Sequence, residues 1–144
     1  MEILLKSNIL TGLDSVHHED AIRRCGEMLV KSGYVNSAYI DGMLARDRDF
    51  STAIGNLIAI PHGEEASKKE ILNTGIVVLV YPKGIEWNGE TVKLVIGIAA
   101  KGSEHLSILE RIVGAFAEEK DVEATVQSAD AETFYRLLSA EGAS

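Results

Sequence analysis

The chain has little with which to build a covalent scaffold, a membrane span or a nucleic-acid surface. Its single cysteine, Cys25, cannot form an internal disulfide, so nothing in the 144 residues points to an oxidising compartment. No apolar stretch approaches the roughly 20 residues needed to cross a bilayer. The start, Met1-Glu2-Ile3-Leu4-Leu5-Lys6, lacks the basic opening and long apolar middle of a secretory signal, and the expected location is cytoplasmic. Lys and Arg number 14 against 22 Asp and Glu, a formal net charge of −8, with no basic run. Nucleic acid demands a cationic stripe that displaces phosphate counterions, and an anionic membrane surface demands much the same, so neither is an expected partner. With two prolines, no repeat and no Gly/Ser/Pro linker, no boundary is visible, and residues 1–144 read as one domain.

What is present is a hydrophobic fraction of 46%, spread in short runs, which suffices for a core and is too high for disorder. Ile22, Cys25, Met28 and Leu29 recur at helical spacing, and Gly33 stands where a left-handed residue closes a helix. Ser37 is placed to cap a second helix with Tyr39, Ile40, Met43 and Leu44 on one face. Then the period changes. The runs 57–60, 76–80 and 92–99 are short, β-branched and apolar on both faces, as strands covered from two sides are. Asn88-Gly89 predicts a tight hairpin, because both residues tolerate positive φ. Glu64 to Leu72 is a candidate crossover helix, which would make the first two strands parallel. Farther on, Leu106, Leu109, Ile112, Val113 and Phe116 form a helical stripe behind a Ser103 cap, and Phe134, Leu137 and Leu138 mark a last helix. The expected fold is α/β: a mixed, mostly parallel sheet with one hairpin, flanked by helices on both sides.

Two of the four histidines fall in the same kind of place. His62 follows the strand 57–60 directly after Pro61, and His105 follows the strand 92–99 across a short loop. If these strands run parallel, both imidazoles lie at the carboxyl edge of the sheet, where open α/β folds place ligand sites. Pro61 stiffens the strand end, and Gly63 is expected to let the backbone turn away and leave the ring presented. A Pro-His-Gly triplet alone equally describes a surface histidine at a strand tip. His105 falls in the first turn of the helix behind Ser103, where the helix dipole disfavours imidazolium and backbone N–H groups await an anion. His17 and His18 read as solvated residues ahead of the first helix. No CxxC or HExxH supports a metal, no GxxxxGK[ST] or GxGxxG supports a nucleotide, and no GxSxG supports a serine hydrolase.

Taken together, two blocks of residues resemble the enzyme IIA domain of the phosphoenolpyruvate-dependent sugar phosphotransferase system, in its mannitol/fructose class. The first runs Met43-Leu44-Ala45-Arg46-Asp47, Ser51-Thr52-Ala53-Ile54-Gly55-Asn56 and Ile58-Ala59-Ile60-Pro61-His62-Gly63. The second runs from Trp87-Asn88-Gly89 through 94–100 to Glu104-His105-Leu106-Ser107-Ile108-Leu109 and is most similar to the mannitol branch. Asp47 stands where the family mostly has glutamate, and Leu57 where glycine is common.

The resemblance implies that His62 accepts a phosphoryl group from the phosphocarrier protein HPr and passes it to a cysteine of a sugar-specific IIB domain. It implies Arg46 as the active-site arginine, His105 as the second histidine, a supporting role at most for Thr52, and no metal or other cofactor. Phosphoryl transfer between imidazoles needs an unprotonated acceptor nitrogen and donors for the equatorial oxygens, and Arg46 and His105 supply such donors. Two other readings stand beside this relay: a regulatory module of the same fold, whose phosphorylation state controls binding to another protein, and an unrelated hydrolase using the histidine pair.

Overall fold

The structure, a computed structural model, describes residues 2–128 and 130–139, so residues 1, 129 and 140–144 of the expected 1–144 span lie outside the described residues. The helical spacing of the first third closes as α1 (His18–Lys31), which buries Ile22, Cys25 and Leu29 completely and Met28 in part. Gly33, at φ 82°, ends it as expected, with the Gly33 and Tyr34 amides donating back to the Val30 and Leu29 carbonyls. The second helix, α2 (Tyr39–Asp49), buries Tyr39, Met43 and Leu44. Ser37 does not cap it by side chain; its carbonyl accepts the Ile40 amide instead.

The described strands are β1 (Ile9–Leu10), β2 (Ala53–Gly55), β3 (Ile58–Ala59), β4 (Gly75–Trp87) and β5 (Glu90–Ala99). They form one sheet in the order β1-β4-β5-β3-β2. The sheet is mixed, but the expectation that it is mostly parallel needs correcting. β1–β4 and β3–β5 are parallel, whereas β4–β5 and β2–β3 are antiparallel. The cause is the hairpin. Asn88 and Gly89 take φ values of 50° and 92°, the two-residue turn that matches strand twist, and they zip the two longest strands together along most of their length. The expected crossover is absent for the same reason: β3 pairs with β5, not β4, and the intervening segment is a 3₁₀ helix, Glu65–Glu70.

Helices cover both faces. Val77, Leu79, Tyr81 and Val95 share a core with α1 and α2. Ile76, Val78, Leu94, Ile96 and Ile98 share another with α3 (Glu104–Ala115), α4 (Glu119–Ser128) and α5 (Ala131–Leu138). Burial from two sides is why these strands read as unbroken apolar runs. Within α3 the buried stripe is Ile108 and Ile112, continued by Phe116 and flanked by Leu109, while Leu106 and Val113 are exposed, so the expected stripe is shifted toward Ile108 by a fraction of a turn. Ser103 precedes α3 but makes no capping bond by its side chain.

Candidate functional site

The site is built where β3 and β5 end side by side. Ile58 pairs with Leu94 and Ala59 with Val95, and the ladder extends to a bridge between His62 and Ile98, whose amide donates to the Pro61 carbonyl at 2.8 Å. β3 stops there. β5 runs on through Ala99 and Ala100, turns at 101–103, and enters α3, which carries His105 in its first turn. Parallel pairing thus brings both imidazoles to the same sheet edge. Their ring centroids are 5.2 Å apart and the planes are inclined at 67°, an edge-to-face contact. The expected meeting of His62 and His105 is what the structure contains.

Both rings open onto a cleft of about 310 Å³, lined also by Tyr39, Arg46, Glu64, Glu65, Lys68 and Ile71. Arg46 comes from the last turn of α2 and donates one guanidinium N–H to the Phe50 carbonyl at 2.7 Å, which leaves the rest of its fork for the cleft. Thr52, expected to give the site a supporting hydrogen bond at most, is absent from the cleft lining and instead binds Asp47, with its amide at 2.9 Å and its hydroxyl at 2.7 Å.

The tautomer of His62 follows from one contact. Nδ1 lies 2.7 Å from the Ile60 carbonyl, which only accepts, so Nδ1 carries the proton. In the neutral ring Nε2 then holds a lone pair, and it meets no hydrogen-bond partner among the described residues. Burial pushes the His62 pKa below the usual histidine value. The bond to Ile60 works the other way, and the charges of His105, Arg46 and Lys68 add to the depression. His105 is also pushed down, first by burial and then by Lys68. Both rings are therefore held neutral, as the helix-start argument expected for His105, although burial is the leading cause.

Several supporting residues escaped the sequence reading. Tyr39, expected on the apolar face of α2, sends its hydroxyl into the seam of the site. It accepts the Gly63 amide at 2.8 Å and donates to the Ile98 carbonyl at 2.9 Å, locking the two strand ends together. Gly63 is required for this closeness rather than for a left-handed turn: a Cβ there would lie 2.5 Å from the Tyr39 ring. Thr74 holds the turn that leads to His105, although it caps no amide of α3. Its hydroxyl donates to Glu104 at 2.8 Å and accepts the Lys101 amide at 3.0 Å, tying the start of α3 to β4.

Residue 47 turns the opposite way from residue 46. Asp47 is 4% exposed and accepts from Thr52, from the Trp87 indole at 2.9 Å and from Asn88 at 3.4 Å. Burial alone would raise its pKa, but these hydrogen bonds prevail and hold the carboxyl below its usual value. His18 completes this knot, with Nε2 3.3 Å from Asp47 and its ring 5.3 Å from that of Trp87. It is therefore not the solvated residue expected; His17 is, capping α1 through Nδ1, which accepts the Glu19 amide at 3.2 Å. Among the described residues no three His, Cys, Asp or Glu side chains converge into a group suited to a metal ion.

Residues 2–141 match the family model described as the phosphoenolpyruvate-dependent sugar phosphotransferase system, EIIA 2. The chain belongs to that family. It is thus an enzyme IIA, a phosphotransferase component. A mannitol-specific phosphotransferase enzyme IIA component from Staphylococcus aureus is 40% identical over 137 residues, covering 95% of each chain. Its counterpart from Halalkalibacterium halodurans is 41% identical over 141 residues, covering 98% of this chain and 89% of that one. Among solved structures, a chain in the complex of Escherichia coli enzyme IIA-Mtl with phosphorylated enzyme IIB-Mtl superposes with a TM-score of 0.84 at 36% identity, covering 91% of this chain and 93% of that one. No helix among the described residues is long and apolar enough to cross a membrane.

Proposed function

We propose that this enzyme IIA takes a phosphoryl group from phospho-HPr onto Nε2 of His62 and delivers it to a cysteine of a IIB domain, in the uptake of mannitol or a related sugar. The observation that carries this reading is the bond from His62 Nδ1 to Ile60, which leaves Nε2 as an unprotonated nucleophile beside His105 in a cleft that Arg46 also lines. The mannitol names of the relatives and the phosphorylated IIB partner of the E. coli protein support the sugar and the acceptor. HPr as donor and a cytoplasmic setting rest on membership of the phosphotransferase family.

In the loading step the Nε2 lone pair attacks phosphorus in line as the donor's N–P bond breaks, and that electron pair stays on the donor imidazole. The Ile60 bond holds the ring's other proton and stabilises the cationic character that the ring gains. Arg46 and His105 donate to the equatorial oxygens, so charge is met by groups already in place, and no resident metal is needed. In the second step a thiolate of IIB attacks from the same open side and the electron pair of the N–P bond returns to Nε2. Tyr39 acts only through position, by fixing the strand tip from which His62 projects.

The test is incubation with phosphoenolpyruvate, enzyme I and HPr, followed by mapping of acid-labile, base-stable phosphate. One phosphoryl group on His62, lost in His62→Ala and passed on to a IIB domain, is the expected result. Full labelling of His62→Ala would overturn the assignment, and phosphate that never moves to any IIB domain would favour the regulatory module instead.

A further inference from the structure

We propose that Lys68 is a second cationic group of the phosphoryl cleft beside Arg46, held by Glu65 while His62 is unloaded and drawn to the phosphoryl oxygens once it is loaded. The inference rests on the relay proposed above and adds a residue to it. Lys68 lines the same cleft as His62, His105 and Arg46. Its partner is Glu65, 3.1 Å away and three residues earlier in the 3₁₀ segment, and Glu65 lines the cleft too. Both side chains are mostly exposed, at 60% and 86%, so the pair is a weak one that a stronger anion displaces readily.

The backbone beneath Lys68 is fixed against the rest of the site. The Glu64 amide donates to the Gly42 carbonyl at 3.2 Å, and Ser67 packs so closely on Gly42 that a Cβ there would lie 1.7 Å from its hydroxyl oxygen. Gly42 and Arg46 sit one turn apart on α2, so the segment bearing Lys68 is packed directly on the helix bearing Arg46. The long, flexible lysine stem supplies the reach and its three donors tolerate several geometries. Lys68 also adds to the depression of both histidines, whereas Arg46 acts on His62 alone.

Charge counting gives the direction of the exchange. The cleft lining holds Arg46 and Lys68 against Glu64 and Glu65, a balanced set when no phosphoryl group is present. A phosphoryl group brings between one and two negative charges, which repel Glu65 and attract the ammonium. Lys68 thus changes partner on loading and changes back on discharge, so its own ammonium has a carboxylate partner while the cleft is empty.

The test compares Lys68→Gln, Glu65→Gln, Lys68→Arg and the double Gln variant in the full chain, measuring the rate of phosphate uptake from phospho-HPr. Lys68→Gln is expected to slow uptake roughly tenfold, less than a rigid donor would because this one is mobile and solvated. Glu65→Gln is expected to speed uptake about two- to threefold, to lose most of that gain when Lys68 is already Gln, and Lys68→Arg to recover most of the wild-type rate. Uptake by Lys68→Gln at the wild-type rate, or equal slowing by both single substitutions as a merely structural surface pair would give, overturns the inference. A wild-type chain that takes no label at all overturns the relay itself, which separates the two failures.

Discussion

Arg46 and Asp47 are neighbours in the last turn of α2, yet they enter polar clusters of opposite kinds. On one side Arg46, His62, His105 and Lys68 surround open space, and Nε2 of His62 meets no partner among the described residues. On the other, Asp47 is buried and accepts from Thr52, Trp87 and Asn88, with His18 beside it. The knot ties α1, α2, the entry to β2 and the tip of the β4–β5 hairpin together. Each cluster contains histidine. What separates them is satisfaction: where polar groups complete one another they hold the fold, and where they are left open toward solvent they are available to a substrate.

Adjacent substitutions put that division to its hardest test. Asp47→Ala leaves the buried Trp87 indole and the Thr52 hydroxyl without an acceptor and is expected to cost about 3–5 kcal/mol. The unfolding midpoint should fall by on the order of 10 °C. Arg46→Ala removes an exposed side-chain bond to Phe50 and should shift stability by less than about 1 kcal/mol. Its effect belongs on transfer, where losing a charge-stabilising donor is expected to slow uptake roughly 10²–10³-fold. Denaturant titration beside an uptake assay reads both. A stable Asp47→Ala that takes up no phosphate, or an Arg46→Ala that unfolds early and transfers normally, breaks the comparison.

Tyr39 is the one side chain that belongs to both descriptions. Its hydroxyl is internally satisfied, as in the knot, but the groups it joins are the backbone on either side of the cleft floor. Burial raises its pKa to about 12, so it stays a neutral donor throughout the working range. Tyr39→Phe strands the Gly63 amide and the Ile98 carbonyl at a cost of about 2 kcal/mol. The strand tip should loosen with it, slowing uptake about tenfold because the attacking nitrogen is less well aimed. A stability loss with no change in rate would mean that the tip is held by β3–β5 pairing alone.

How much of this was legible depends on which property a residue uses. The β4 and β5 runs announce themselves because both faces are apolar, and the hairpin because its turn needs Asn-Gly. The meeting of His62 and His105 is legible only as a condition, since both follow strands and need those strands to run parallel, as β3 and β5 do. The strands β1 and β2 and the helix α4 pass unseen: two or three residues make no period, and α4 shows only Val122 and Val126 among charged neighbours. Tyr39 and Asp47 were illegible for another reason, since one atom at the end of each side chain decides the role and periodicity reports only the face. Leu57 is the converse case. It sits at φ 67°, a conformation that glycine adopts without strain, while its half-buried side chain packs against the core on the face covered by α3, α4 and α5.

Acid distinguishes the clusters by the pH at which each loses stability. His62 and His105 have lowered pKa values in the fold, so between the unfolded value of 6.5 and their folded values the unfolded chain binds more protons. Stability should therefore begin to decline as pH falls through 6.5, and substituting both histidines should flatten that first slope. Uptake should outlast it, because neutral His62 persists below the pH at which a free imidazole is half protonated. Asp47 is also lowered, but a carboxylate with a depressed pKa contributes stability above 3.8 that is lost only as pH falls through its folded value. Urea midpoints and uptake rates measured against pH should show these as separate events. Uptake that falls in step with free histidine would remove the desolvated cleft from the account.

The smallest expected effect is at His18, and it bears most directly on what a histidine in each cluster is for. His18→Phe keeps an aromatic ring against Trp87 and gives up the 3.3 Å contact with Asp47, whose carboxylate still accepts from Thr52, Trp87 and Asn88. A change of no more than about 1 kcal/mol is expected, since no buried donor is left without a partner. Phosphate uptake should stay at full stoichiometry and near the wild-type rate, because His18 lines a separate surface hollow with His17, Glu19 and Arg48. Loss of label on His18→Phe with the fold intact would make the knot part of the relay, and satisfaction of polar groups would no longer tell the two clusters apart.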